Sequence, residues 1–384
     1  MANSRPQKRP WLFFVNLLAG ILFFPLVIRK IFLRSAVIDQ VQNILVVELW
    51  GIGDLVMASG ALKALREKFP SAKISLLSKP EGEIIFKETC FVDQFISFSF
   101  PWTKFKGKYR LWEWDWKDIL ALLRALREQK FDVIIDARGD IRNNFLSFLI
   151  AGKRRLGYAW TGGGFFLTDA GPAELMDQHR TKAWAQLLRF LNIPAEDCPP
   201  LLSVSEQEEE WAVNFLAQKG IFAGDTVVGI HPGAGRKIRC WPLERFGEVA
   251  SYVSQNYPAK IVVFIEPDGY GGDMPSLRKY VPLWLSLREL IVLVKKMSLL
   301  ICNDSGVMHI ASAWDIPTIA IFGPGDFKKI GPRGSKSSVV VKEEVECRPC
   351  FDSCRQARAF CLDGVPVSEV IKKMDEKLPR QRSG

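Results

Sequence analysis

No strict internal repeat and no low-complexity tract runs through the 384 residues, which argues against a solenoid array. No Asp-x-Asp occurs either, so a divalent cation held between paired aspartates is not indicated. A complete dinucleotide fingerprint is also missing. After Gly51 and Gly53 the third glycine position holds Val56, and the run Ile74-Ser75-Leu76-Leu77 leads into Ser78 and Lys79, where an acidic residue would be needed to grip a ribose. Nicotinamide binding is therefore disfavoured. Residues 11–28 contain no charged side chain, yet no small-x-small cleavage site follows them, which argues against a removable signal peptide.

What is present is a chain long enough for two domains with separate cores, 48% hydrophobic and carrying a net charge of +10. Such a balance calls for an anionic partner: nucleic acid, a lipid surface or a phosphorylated substrate. The uncharged run at 11–28 is flanked by Arg5, Lys8 and Arg9 and by Arg29, Lys30 and Arg34, and it is long enough to cross a bilayer core. Pro25 leaves a re-entrant or interfacial hairpin equally open. Membrane attachment through residues 1–42 is the expectation in either case.

From Asn43 onward, apolar strands alternate with helical patterns. Asn43-Ile44-Leu45-Val46-Val47-Glu48-Leu49 reads as a buried strand, and Trp50-Gly51-Ile52-Gly53-Asp54 as the turn into a helix. Asp54 then sits beyond a strand's carboxyl end, where open α/β sheets keep their ligands; its alternative role is an N-cap. A helix over 119–129 and a strand ending at Asp136 lead to Ala137-Arg138-Gly139-Asp140-Ile141-Arg142. Arg138 and Arg142 are candidate ligands for acidic groups of a substrate, with pairing to Asp136 or Asp140 as the alternative.

The proline-rich, then acidic stretch between Ile193 and Asp225 marks the domain boundary, giving domains at 43–200 and 201–384. The second begins with Thr226-Val227-Val228-Gly229-Ile230 and the small-residue turn His231-Pro232-Gly233-Ala234-Gly235, whose amides suit a phosphate. Lys237 and Arg239 add positive charge beyond it, and a further strand ends at Glu266. Near the end, Leu299-Leu300-Ile301-Cys302 stops at Asn303-Asp304-Ser305-Gly306, and Val307-Met308-His309 resumes a helical pattern. A strand, a tight turn and a helix N-terminus make an anion site, because the first amides of the helix lack internal partners and carry the positive end of its dipole. A simple cap at Asp304 or Ser305 with His309 in the core is the alternative. The whole reads as an α/β chain of two Rossmann-like domains facing across a cleft.

Two stretches stand apart. Residues 100–118 mix Lys and Arg with Trp102, Trp112, Trp114 and Trp116, a composition suited to an anionic lipid surface or to aromatic packing of a helix. Nucleic acid is disfavoured, since no recognised binding module accompanies these residues. Of the eight cysteines, Cys347, Cys350, Cys354 and Cys361 crowd together, so a structural zinc and reduced, unliganded thiols are both open.

Together, Trp50-Gly51-Ile52-Gly53-Asp54, Ile135-Asp136-Ala137-Arg138-Gly139-Asp140, His231-Pro232-Gly233-Ala234-Gly235 with Trp241-Pro242, and Asn303-Asp304-Ser305-Gly306-Val307-Met308-His309 with Phe322-Gly323-Pro324 form an ordered, spaced set. With it the chain resembles the bacterial lipopolysaccharide heptosyltransferases, glycosyltransferase family 9, which have the two-domain GT-B fold. The resemblance implies inverting transfer of a heptose from ADP-heptose to a lipopolysaccharide-type, anionic glycolipid acceptor at the cytoplasmic face of the inner membrane, with no cofactor needed for catalysis. It makes Asp54 the general base, beside Gly53, Arg138 and Arg142 on the acceptor side. Asp304, Ser305, Gly306 and His309 match the donor-binding turn, and Gly233 and Ala234 the phosphate loop, with Glu266 nearby. Arg239 stands where the family usually has a lysine, so either Arg239 or Lys237 meets the diphosphate. A nucleotide-sugar epimerase or binding protein on the same fold is the competing reading.

Overall fold

A computed structural model describes residues 40–104, 110–172, 174, 177–272, 274–354, 356 and 359–378. The apolar run at 11–28 lies outside the described residues. Among the described residues, no helix is long and apolar enough to cross a membrane. The chain divides into two compact units, the first ending at Cys198 and the second starting at Pro199.

In the first unit β1 (Asn43–Glu48), β2 (Lys73–Ser78), β3 (Gln94–Ser97), β4 (Val133–Asp136), β5 (Arg154–Tyr158) and β6 (Asp169–Gly171) form one parallel sheet in the order β3-β2-β1-β4-β5-β6. Strands covered on both faces need continuous apolar runs, and Ile44, Leu45, Val46 and Val47 of β1 are fully buried or nearly so. Helix α1 (Ile52–Lys68) follows β1, with Gly51 in the N-cap position. Helix α2 (Trp116–Glu128) begins three residues before the sequence suggests, because the Asp115 side chain accepts from the Asp118 amide and closes the first turn. Helix α3 (Ile141–Ile150) is capped in the same way by Asp140, and α4 (Arg180–Leu188) by His179.

The second unit opens with α5 (Glu206–Gln218), whose N-terminus is a capping box made by Ser205 and Glu208. Its sheet contains β7 (Thr226–His231), β8 (Ala259–Ile265), β9 (Val281–Trp284), β10 (Leu299–Asn303), β11 (Thr318–Phe322) and β12 (Ser337–Val341), in the order β12-β11-β10-β7-β8-β9. Helices α6 (Leu243–Asn256), α7 (Leu287–Val294), α8 (Gly306–Ala313) and α9 (Val367–Asp375) accompany it. The core of this unit includes Trp241, which is fully buried, packs edge-on against Phe246 and donates its indole N–H to the Val365 carbonyl at 3.1 Å.

Counted from its first strand, each sheet has the same order, 3-2-1-4-5-6, the doubly wound arrangement in which the winding reverses between the first and fourth strands. Loops on the two sides of that point diverge above opposite faces and leave a crevice at the carboxyl ends of the strands. In the first unit the crevice lies between the turns after β1 and β4, paired in register from Ile44 with Val133 to Val46 with Ile135. In the second it lies between the turns after β7 and β10, paired from Leu299 with Val228 to Cys302 with His231.

Candidate active site

At the first crevice, Asp54 sits in the first turn of α1 and is not the helix cap, since Gly51 holds that position and no side chain closes it. Its Oδ1 lies 3.1 Å from Arg138 Nη1, and both side chains keep about a quarter of their surface in solvent, so an incoming hydroxyl or anion can reach them. The Arg138 guanidinium stacks over the Trp50 ring, 4.2 Å from its centroid. Behind it runs a buried chain of hydrogen bonds. The Arg138 amide donates to Asp136 Oδ1 at 2.6 Å, Asn143 Nδ2 donates to Asp136 Oδ2 at 2.6 Å, and Trp102 Nε1 donates to Asn143 Oδ1 at 3.1 Å. The next residue must be glycine: Gly139 has φ +73°, and an added Cβ would stand 3.0 Å from Trp160 Cβ. Gly53 lies within the first turn of α1, beside Asp54.

Arg142 is placed differently from Arg138. Its guanidinium donates to both oxygens of Asp140, at 2.8 and 2.5 Å, and also approaches the Trp102 carbonyl at 3.4 Å. The two arginines thus separate, one facing Asp54 and the other held at the start of α3.

Two residues that the sequence reading did not single out line the same small recess as Asp54 and Arg138. These are Glu48, at the end of β1, and Arg180, in the first turn of α4. Glu48 is 5% exposed, and burial first, then the negative charge of Asp54, pushes its carboxyl up to about 8. Burial also raises Asp136, to about 6. Burial and then the Arg138 charge bring Arg180 down to about 10. A signal for Glu48 existed, an acid closing an otherwise apolar strand. None existed for Arg180, which arrives through the packing of α4.

The second crevice is built from the turns after β7 and β10. Buried Asn303 ties them together: its Oδ1 accepts from the Trp241 amide at 3.0 Å and its Nδ2 donates to the Pro232 carbonyl at 2.6 Å. His231 Nε2 lies 3.3 Å from Glu266 Oε1. Gly233 is pressed against that carboxylate, where an added Cβ would come within 2.1 Å of Glu266 Oε1; Ala234 follows, half-buried. Asp304, 2% exposed, stands 3.6 Å from Arg239 Nη1 through its Oδ2, and Gly325 leaves it room. Ser305 takes the N-cap position of α8 without making a capping bond, Gly306 is the first helical residue, and His309 is buried one turn on. Ser305 Oγ and His231 Nδ1 are both buried and find no hydrogen-bond partner among the described residues. Such atoms are uncommon in native proteins and call for a ligand or water.

Of the two expected cations, Arg239 enters this group and Lys237 is exposed on the adjoining turn. Arg239 is also held from behind by Asp352, which accepts from its Nε at 2.8 Å and its Nη2 at 2.6 Å. Asp352 belongs to the cysteine-bearing segment, a contact that no sequence spacing announces. Cys347, Cys350, Cys354 and Cys361 line one recess of about 230 Å³, and all four are free thiols. Among the described residues no group of three or more His, Cys, Asp or Glu side chains is placed to hold a metal ion, so a tetrahedral site is not preformed there.

Known proteins share this fold. Lipooligosaccharide heptosyltransferase 2 of Campylobacter jejuni is 24% identical over 341 residues, covering 84% of this chain and 95% of that one. Among solved structures, the glycosyl transferase family 9 protein of Veillonella parvula superposes with a TM-score of 0.69 at 20% identity, over 89% of this chain and 98% of the other. The ADP-heptose LPS heptosyltransferase II of Escherichia coli superposes with a TM-score of 0.65 at 17% identity, over 87% and 98%. The family model for glycosyltransferase family 9 (heptosyltransferase) matches residues 119–359, more than half of the chain, and the chain therefore belongs to that family of glycosyltransferases.

Proposed function

We propose that the protein transfers a heptose from ADP-heptose to a sugar hydroxyl of a lipopolysaccharide-type glycolipid, with inversion at the anomeric carbon. The observation that carries this reading is the partly exposed Asp54 carboxylate held against Arg138 at the first switch point. The sugar and the nucleotide follow the heptosyltransferases to which the chain is similar. In a single displacement, Asp54 takes the proton of the acceptor hydroxyl as its oxygen bonds to the anomeric carbon, and the bond to the diphosphate breaks with its electron pair leaving on ADP. Arg239, Lys237 and the free amides at the start of α8 offset the charge that develops on the diphosphate. Asp304, Ser305 and His309 hold the sugar and ribose side of the donor, with Gly233, Ala234 and Glu266 at the phosphate turn. Arg138, together with Arg180, receives the acidic groups of the acceptor. A cytosolic nucleotide sugar and a lipid-borne acceptor place the enzyme at the cytoplasmic face of the inner membrane.

A thermal-shift screen of nucleotide sugars tests the donor, because a ligand that binds only the folded state stabilises it with the logarithm of its concentration relative to its Kd and so raises the midpoint. ADP-heptose is expected to stabilise the parent most. Asp304→Ala and Arg239→Ala are expected to bind it on the order of tenfold or more weakly, the scale of a lost charge-assisted hydrogen bond. Equal donor affinity in all three proteins would remove the assignment.

The four thiols around the cysteine recess are candidates for a structural zinc with no part in the transfer step, and reduced, unliganded thiols are the alternative. Elemental analysis of protein purified without chelator decides between them: near-stoichiometric zinc that Cys347→Ser with Cys350→Ser abolishes supports the structural site. Metal-free protein with four freely titrating thiols rules it out.

A further inference from the structure

The first unit carries a surface that the transfer chemistry does not use. The 3-10 turn Leu111–Glu113 and the start of α2 expose Leu111 at 52%, Trp112 at 80%, Trp116 at 46% and Leu120 at 50%. These residues form one patch. Trp116 Nε1 donates to the Leu111 carbonyl at 2.9 Å, binding the turn to the helix, and Trp116 and Leu120 are neighbours at i, i+4. Arg124 and Arg127 continue the same helical face, Lys117 borders it, and all three are exposed. Lys104 and Arg110 are exposed where the chain approaches the turn, with Arg110 paired to Glu113.

The patch is fixed rigidly to the core. Phe98, Phe100, Trp102, Trp114 and Trp116 form a continuous ladder of rings, with successive centroids 4.6, 4.4, 5.6 and 5.1 Å apart, running from fully buried Phe100 to the surface. The expected aromatic stretch therefore divides: Trp102 and Trp114 pack inward, while Trp112 and Trp116 face out. An indole 80% exposed, as at Trp112, returns little to the fold, and apolar surface grouped in this way marks an interaction site.

We propose that this face docks on an anionic lipid bilayer, with Trp112, Trp116, Leu111 and Leu120 entering the headgroup boundary and Lys117, Arg124 and Arg127 meeting lipid phosphates. The chemistry favours a bilayer over a protein groove. Tryptophan has an apolar body and a polar N–H suited to the membrane–water boundary, and Lys117, Arg124 and Arg127 stand beside Trp116 and Leu120 on the helix, while the exposed acids Asp118 and Glu128 lie farther round it. The inference does not depend on which sugar is transferred or on which acceptor receives it.

Hydrogen exchange of the full-length protein, bound to vesicles, tests the proposal locally and independently of attachment elsewhere in the chain. Amides of the 3-10 turn and of the first turn of α2 are bonded only within the turn and its cap and lie at the surface, so they exchange quickly in water. With vesicles of phosphatidylcholine and phosphatidylglycerol, peptides over residues 110–118 are expected to exchange about tenfold more slowly, as solvent is excluded from a face of low local protection. Pure phosphatidylcholine should leave them unchanged, and Trp112→Ser with Leu120→Gln should abolish the effect while the β1 and β4 amides exchange as in the parent. Unchanged exchange on anionic vesicles, equal slowing on neutral ones, or slowing that survives the double substitution overturns the proposal.

Discussion

Asp54→Asn is expected to lower the rate of transfer by roughly two powers of ten or more, the usual contribution of a positioned base, while fold and donor affinity stay close to those of the parent. The amide has the carboxylate's shape and its oxygen still accepts from Arg138 Nη1, so the turn after β1 keeps its geometry. What it loses is the ability to take a proton. The lost ion pair costs little stability, because both partners are about a quarter exposed and such pairs contribute about 1 kcal/mol or less. Donor affinity should hold because the proposed donor residues lie in the second unit, on the turns after β7 and β10. Initial rates of ADP release at saturating acceptor, beside a donor titration, separate the two effects. A variant that turns over within a few-fold of the parent removes Asp54 from the base role, and a variant with unchanged rate but weakened donor binding reassigns it.

Asp54 was legible because its position follows from local chemistry alone. An apolar run followed by Gly51 and Gly53 must be a buried strand and a tight turn, and the first acid in the following helix then lies beyond the strand's carboxyl end. The same logic exposed the turn from Asn303 to Gly306, whose strand is buried throughout. Strand order was not legible, since pairing between β1 and β4 joins residues nearly ninety positions apart and no local pattern encodes that choice. For this reason the partners of the two arginines could not be sorted. Arg142 finds Asp140 two residues away on its own helix end, whereas Arg138 reaches back to Asp54 only after the sheet has formed. Asp352 shows the limit more sharply: it clamps Arg239 from a segment more than a hundred residues later, between cysteines whose spacing suggests metal chemistry and nothing about the turn after β7. Arg180 likewise comes to the first crevice on a helix that carries no motif. Local patterns therefore located the turns, and tertiary packing supplied the charges around them.

Glu48→Gln is expected to make the protein more stable than the parent at high pH and nearly equal to it at low pH. Glu48 is 5% exposed, its Oε1 accepts the Trp50 amide at 3.2 Å, and burial with the neighbouring Asp54 charge moves its carboxyl from 4.5 in the open chain to about 8 in the fold. The native state thus binds one more proton than the unfolded state across that interval. Stability contributed by the neutral acid is complete below about 4.5 and is lost as pH rises through 8. Since each unit of displacement corresponds to roughly 1.4 kcal/mol, the cumulative loss by pH 9 is on the order of a few kcal/mol. Glutamine keeps the side-chain length and still accepts from Trp50, but it has no proton to lose, so its curve should lack this decline. Asp136, raised for a similar reason, is present in both proteins and cancels from the difference. Urea unfolding at pH 5 and pH 9 measures the effect: the gap between the two proteins should open by a few kcal/mol over that range. Parallel pH curves would mean that Glu48 is ionised in the fold, held by Arg138 and Arg180. Combining Glu48→Gln with Asp54→Asn gives a second test, because Asp54 supplies part of the shift and its removal should itself flatten the pH dependence. The double variant should then gain less than the sum of the two single changes.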